Sequence, residues 1–280
     1  MPRMKPNPLL PEFGKPPLVE VALSVQFEPI AGLHTPQIGL LWQEYRDRFP
    51  KTEEHPPLEP VFEVFALRPK PRAKARFEIL SAPPVPRCWF LTAEGDGLIQ
   101  VQNDRFVHNW RRISEAEAYP RFDTIRTVFE KELGFFKAIV ENNASGEFQP
   151  NQVDVTYVNH IVAGEGWRTH ADLGAIITMI SPRVTDAFAP EVEDCGLTAR
   201  FVMRHENGEP IGRLHVAVEP SYRAEDDTPM FVVTLTARGR PLEESIEGVM
   251  KFLDLGRDWV VRMFATITTP EMHSLWERLH

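Results

Sequence analysis

The side chains best equipped for chemistry gather in one stretch, GLIQVQNDRFVHNWRR at positions 97–112. Apolar residues there alternate with Gln100, Gln102, Arg105, His108, Asn109 and Arg111. In an extended chain alternate residues share a face, so these amide and guanidinium groups would set several hydrogen-bond donors side by side. A ligand or partner surface has that character. The same alternation also serves only to solvate the open face of a half-buried hairpin. A second pattern matches His108-Asn109 with Asn159-His160, and His160 lies near Asp154 and His170 in sequence. Histidine exchanges protons near neutrality and asparagine can orient it, which makes acid-base chemistry conceivable if the fold brings the pairs together. The spacing does not call for a metal, and no cofactor is expected.

Two further stretches carry charge. In DLGRDWVVRMFATITTPEMHSLWER, residues 254–278, Asp254, Arg257, Asp258 and Arg262 have helical ion-pair spacing. Phe252 and Trp259 share a face there, suited to a partner helix or to the protein's own sheet. The stretch RPKPRAKAR, residues 68–76, holds five basic residues and no acid. It lacks an aromatic residue on which a base could stack. Signatures of a phosphate loop, dinucleotide fold, zinc protease, hydrolase elbow or calcium loop are absent from the sequence.

Strict alternation opens the folded region, with Val19, Val21, Leu23, Val25 and Phe27 facing away from Glu20, Ala22, Ser24 and Gln26. Thr35-Pro36 reads as a helix N-cap with proline in the first turn, and Phe49-Pro50 stops that helix. Short strands are expected over residues 61–67, 76–80, 88–93, 98–102 and 105–111, with Asn103-Asp104 as a two-residue turn. Phe122, Ile125, Phe129, Leu133, Phe136 and Val140 then step by three and four along a long helix that ends at ENNASGE. The order begins again with a strand over 152–162, a helix over 171–180 and strands over 198–205, 213–219 and 230–238. A second long helix carries Ile246, Val249, Leu253, Gly256, Val260, Met263 and Ile267, and Thr269-Pro270 starts a last short one.

The sequence therefore predicts an α+β protein of two topologically similar halves, residues 18–145 and 146–280, packed as one antiparallel unit behind a proline-rich arm over residues 1–17. The nearest analogies are TATA-binding-protein-like duplication and the helix-grip folds, and they concern shape alone. The 280 residues are 42% hydrophobic and 25% charged, a globular composition. Of the formal charge of −9, residues 1–145 contribute nothing, with 19 basic and 19 acidic side chains; residues 146–280 have 12 and 21. Such a balance argues against nucleic acid as a partner. No window is apolar enough to cross a membrane as a helix, and the arm has no secretory apolar core, so a cytoplasmic location is expected. Cys88 and Cys195 are expected as reduced thiols.

The opening KPPLVEVALSVQF, the block LIQVQNDRFVHNW with YPRF shortly after it, and the tail LGRDWVVRMFATITTPEMHSLWER resemble a sporadically distributed, functionally uncharacterised bacterial family of about this length. The resemblance spans residues 16–278. It implies a soluble bacterial protein, usually encoded alone or beside variable neighbours, and brings no activity, cofactor or catalytic residue with it. The function expected from the residues is non-enzymatic binding of a protein or small molecule by a sheet face or the groove between halves. Gln100, Gln102, Arg105, His108, Asn109, Arg111 and His160 are the candidate contacts. The alternative is an enzyme with His or carboxylate acid-base chemistry.

Overall fold

The computed structural model describes residues 9–65, 85–114, 117–142, 146–164, 166–180, 188 and 192–280. The strand expected over 76–80 and the basic stretch 68–76 lie outside the described residues, as do the first eight residues of the arm. In chain order the elements are β1 (Leu18–Phe27), α1 (Thr35–Tyr45), β2 (Lys51–His55), β3 (Arg87–Leu91), β4 (Gly97–Gln102), β5 (Arg105–Arg111) and α2 (Phe122–Asn142). They continue with β6 (Pro150–Val162), a 3-10 turn His170–Asp172, α3 (Leu173–Ile176), β7 (Leu197–Arg204), β8 (Pro210–Tyr222), β9 (Pro229–Gly239), α4 (Ile246–Ile267) and α5 (Pro270–Leu275).

The nine strands of the described residues join one antiparallel sheet in the order β2-β3-β4-β5-β1-β6-β9-β8-β7. The alternating segment β1 lies at the centre, hydrogen-bonded to β5 on one side and β6 on the other. Val21, Leu23 and Val25 pair with Tyr157, Val155 and Val153 of β6 and are fully buried under the helices. Burying a side chain of this size contributes about 1.5–3 kcal/mol, so the period-two pattern fixes the sheet's register as well as its sidedness. Asn103-Asp104 forms the expected turn, because Gln102 pairs with Arg105.

Helices α2 and α4 pack on the same face. Glu132 of α2 meets His108, and Gly256 of α4 lies over Ala237 and Val155, which project to that side. Arg126 of α2 makes a two-pronged contact to Asp254 of α4 at 2.6 and 3.0 Å, tying the helices together. No helix among the described residues is long and apolar enough to cross a membrane.

Several local expectations need correction. Residues 61–65 form no strand, whereas Lys51–His55, which alternation did not reveal, does. Thr35 is the first helical residue and not the cap; His34 precedes it in extended conformation without a side-chain capping bond, because Pro36 alone sets the first turn. The helix over 171–180 contracts to the 3-10 turn and the single turn of α3, since the chain is extended by Ile177, whose backbone pairs with Thr268. Thr269 does cap α5, accepting from the Met272 amide.

Candidate functional site

The sheet face opposite the helices is strongly polar, and the register explains why. The cross-strand row Gln102, Arg105, Gln26, Gln152 runs over β4, β5, β1 and β6. The next row carries Gln100, Val107, Ser24, Asp154, Arg238 and Arg213. Alternation places these side chains away from the apolar core, yet Gln26, Gln102, Arg105 and Gln152 are each at most 7% exposed. Polar groups on an open sheet face should be wet. They are buried because a segment of the same chain crosses the face.

Residues 58–65 form that strap. Gln102 treats Leu58 as a neighbouring strand would: its Oε1 accepts from the Leu58 amide at 2.9 Å and its Nε2 donates to the Leu58 carbonyl at 2.9 Å. Arg105 Nη2 donates to the Glu59 carbonyl at 3.1 Å and to Gln26 Oε1 at 2.8 Å, and Gln26 Oε1 accepts from the Val61 amide at 2.9 Å. Three side chains thus satisfy four main-chain groups of the strap, with Pro60, which has no N–H to donate, between the contacted Glu59 carbonyl and Val61 amide. Farther on, the Glu63 carboxylate meets Arg213 and, at 2.5 Å, His215 Nε2, and Arg213 lies 4.9 Å from the Phe65 ring centroid. Burial opposes ionisation of Glu63, but the bonds and charges of His215, Arg213 and Arg238 prevail and hold its carboxyl below the ordinary value. Outward, the strap presents Phe62 at 53% and Val64 at 63% exposure.

The face beneath is incompletely satisfied. Ser24 Oγ, Arg105 Nε and Gln152 Oε1 are buried without a hydrogen-bond partner among the described residues. Gln102 and Gln100 are otherwise engaged: Gln102 Nε2 reaches Asp104 at 2.6 Å, and Gln100 bridges Arg87 and Asn109 at 3.0 and 2.8 Å. Asn109 in turn donates to Glu20. Beside this cluster Trp89 has Arg111 at 4.9 Å and Arg87 at 5.4 Å over its ring, and His55 stacks on it at 3.8 Å. Arg111 completes that cluster with a 3.9 Å approach to Glu20. Burial and the nearby Arg105 charge lower the Arg87 guanidinium's pKa, and burial lowers that of Arg105 against the pull of Asp154 and Asp104.

Five of the seven residues singled out from the sequence, Gln100, Gln102, Arg105, Asn109 and Arg111, therefore gather together on this face. The other two do not join them. His108 points to the helix side, where its Nδ1 lies 2.7 Å from Glu132 Oε2. Arg48 Nη1 donates to the other Glu132 oxygen at 2.9 Å, and the Tyr45 hydroxyl donates to the Glu132 carbonyl at 3.0 Å. Burial, then the Glu132 charge, drives the Tyr45 hydroxyl far above its usual pKa. A carboxylate on Nδ1 orients the imidazole as in acid-base dyads, and a cavity of about 240 Å³ adjoins it. His160 is on the strap face but six residues along β6 from Asp154, about 20 Å away at strand rise. Burial lowers its pKa. The matched His-Asn pairs are thus separated, His108 from His160 by the thickness of the sheet.

Sequence reasoning missed Gln26, Gln152, Asp154, Glu63 and Arg213 as members of the site. The even-numbered polar residues of β1 and β6 were a usable signal, but only the pairing of Gln26 with both Arg105 and Gln152 shows that they belong to one row. Among the described residues no three His, Cys, Asp or Glu side chains are grouped to hold a metal ion. No protein-family model, curated protein or solved structure matches the chain.

Proposed function

We propose that this is a non-enzymatic binding protein whose polar sheet face takes an extended segment of a partner polypeptide. Residues 58–65 occupy that face in the free protein. The observation that supports this reading most is the recognition of strap backbone by Gln102, Gln26 and Arg105. Backbone-directed bonds accept many sequences, and the Ser24, Arg105 and Gln152 atoms that have no partner among the described residues leave capacity for further polar contacts from an incoming chain. The reading extends to the whole chain: two halves, 18–145 and 146–280, arose by duplication, in a cytoplasmic protein of the bacterial family resembled above. Its support is the outward strand order from the β1-β6 pair, β5-β4-β3-β2 on one side and β9-β8-β7 on the other, with a long helix closing each half.

The test uses a variant lacking residues 57–65 and a labelled peptide of the strap sequence, PPLEPVFEVF. Fluorescence anisotropy should show saturable binding to the deletion variant and little to the intact chain, whose tethered strap competes at high effective concentration. Gln102→Ala and Arg105→Ala in the deletion background should each weaken binding about tenfold, or 1.4 kcal/mol. Equal titration of intact and deleted chains, or no saturable binding, would reject the proposal. The enzyme alternative draws on the Glu132-His108 contact beside its cavity. Its mark would be a His108→Gln variant as stable as the parent, because a histidine kept for chemistry is dispensable to the fold whereas one kept as the partner of a buried side chain is not.

A further inference from the structure

A cavity of about 470 Å³ lies on the helix side, between the arm, α2 and α4. Its volume is in the range of small-molecule sites. Phe13 of the arm, Leu18, Leu235, Val260 and Phe264 give it apolar walls. At one side the Tyr119 and Tyr157 hydroxyls are 3.1 Å apart, and Arg257 faces Tyr157. Hydrogen counting makes this end a donor site. Of the two tyrosine hydroxyl hydrogens, their mutual bond uses one and leaves one to donate elsewhere. Arg257 Nε–H is also buried without a partner among the described residues. The Arg257 guanidinium lies 5.5 Å from the Phe122 ring and 3.6 Å from Asp258, so its charge is only loosely paired. The remaining pocket charges are Arg121, which pairs with Glu12 at 3.1 Å, Asp123 in the first turn of α2, and His280.

We infer that this cavity binds an amphipathic monocarboxylate, its carboxylate accepting from Arg257 Nε–H and the tyrosine pair and its hydrocarbon body lying against Phe13, Val260 and Phe264. A carboxylate is acceptor-only, which matches two unspent donors better than an alcohol or an amine does. The site is on the opposite side of the sheet from the strap and stands independently of the peptide reading.

Isothermal titration of the full chain with decanoate, decanol and decylamine, each below its aggregation limit, tests this. Decanoate should bind at least tenfold more tightly than the other two. Arg257→Gln and Tyr119→Phe should each remove about tenfold of the decanoate affinity while leaving decanol unchanged, and Val261→Trp, at the cavity wall, should abolish binding of all three. Indifference to the head group, or decanoate binding unaltered in Arg257→Gln, would overturn the assignment, as would no binding at all. Should Arg257→Gln fail to fold, the head-group ratio in the parent and the Tyr119→Phe titration decide the matter.

Discussion

Single carboxylates hold two of the most consequential contacts. Glu63 anchors the strap to β8, and its pKa is lowered in the fold, so its contribution is complete above the ordinary carboxylate value of 4.5 and is lost as pH falls through the lowered one. Protection of the Val61 amide against hydrogen exchange, taken relative to its intrinsic rate at each pH, should therefore fall in acid, and Glu63→Gln should show the low protection already at neutral pH. Identical pH profiles in the two proteins would assign strap release to another group. On the other side of the sheet Glu132 is 1% exposed and faces both Arg48 and His108. Glu132→Ala leaves the buried imidazole and the half-exposed guanidinium without their acceptor, and urea denaturation should register a loss of about 3 kcal/mol. At this scale the sequence was only half legible. Alternation correctly placed Gln100 and Gln102 opposite Ile99, but it could not show that His108, adjacent to Asn109, would be claimed by a helix residue 24 positions later.

Elements with a strong period were readable and those without one were not. β1, α2 and α4 follow from their apolar spacing, whereas β2 is KTEEH, four of its five residues exposed, an outermost strand among the described residues, with charges that suit a rim. Residues 61–65 carry apolar side chains yet point several of them at solvent, so their composition suggested a strand that their side-chain-to-backbone bonding replaced. How α4 seats on the sheet was also hidden. Gly239 of β9 and Gly212 of β8 pair directly beneath Phe252, and a Cβ at Gly239 would collide with the Ile211 carbonyl and the Phe252 ring. Gly239→Ala should therefore cost about 1–3 kcal/mol by overpacking, seen as a lower urea midpoint with unchanged slope. At the far end, His273 ties α5 down. Arg278 Nη1 approaches its Nδ1 at 3.0 Å, which assigns Nδ1 as acceptor and Nε2–H as the donor to Thr268 Oγ1 at 2.8 Å. Burial, with the Arg278 charge, holds this imidazole below its ordinary 6.5. The group binds fewer protons folded than unfolded, so the contact is fully stabilising above about pH 6.5 and fades as pH falls below it. Thermal melts between pH 8 and 5 should show a decline that His273→Gln reduces.

For the molecule as a whole, charge decides which partners approach. Two arginines of the strap face are matched by carboxylates, Arg238 by Asp154 and Arg213 by Glu63. The net acid excess belongs to residues 146–280. With fields screened over about 8 Å at physiological salt, labelled duplex DNA should show no sub-micromolar binding. Tight binding that weakens on neutralising Arg72, Lys74 and Arg76 would mean that the local basic stretch outweighs the global field. At this scale the α+β class and the single antiparallel sheet were legible, because two alternating strands such as β1 and β6 gain most by pairing with each other; they do so over nine residue pairs.

The strap also imposes an order in time. Glu63 finds Arg213 and His215 only 150 and 152 positions later in the chain. A ribosome adding 5–20 residues per second needs roughly 8–30 s to cover that distance. In the later part of this interval, after Gln102 and Arg105 have followed Glu63 out of the ribosome, the strap's anchor on β8 has yet to be made. During that time the strap is held only by its bonds to Gln26, Gln102 and Arg105, and completion of β8 adds the Glu63 anchor that ends the period.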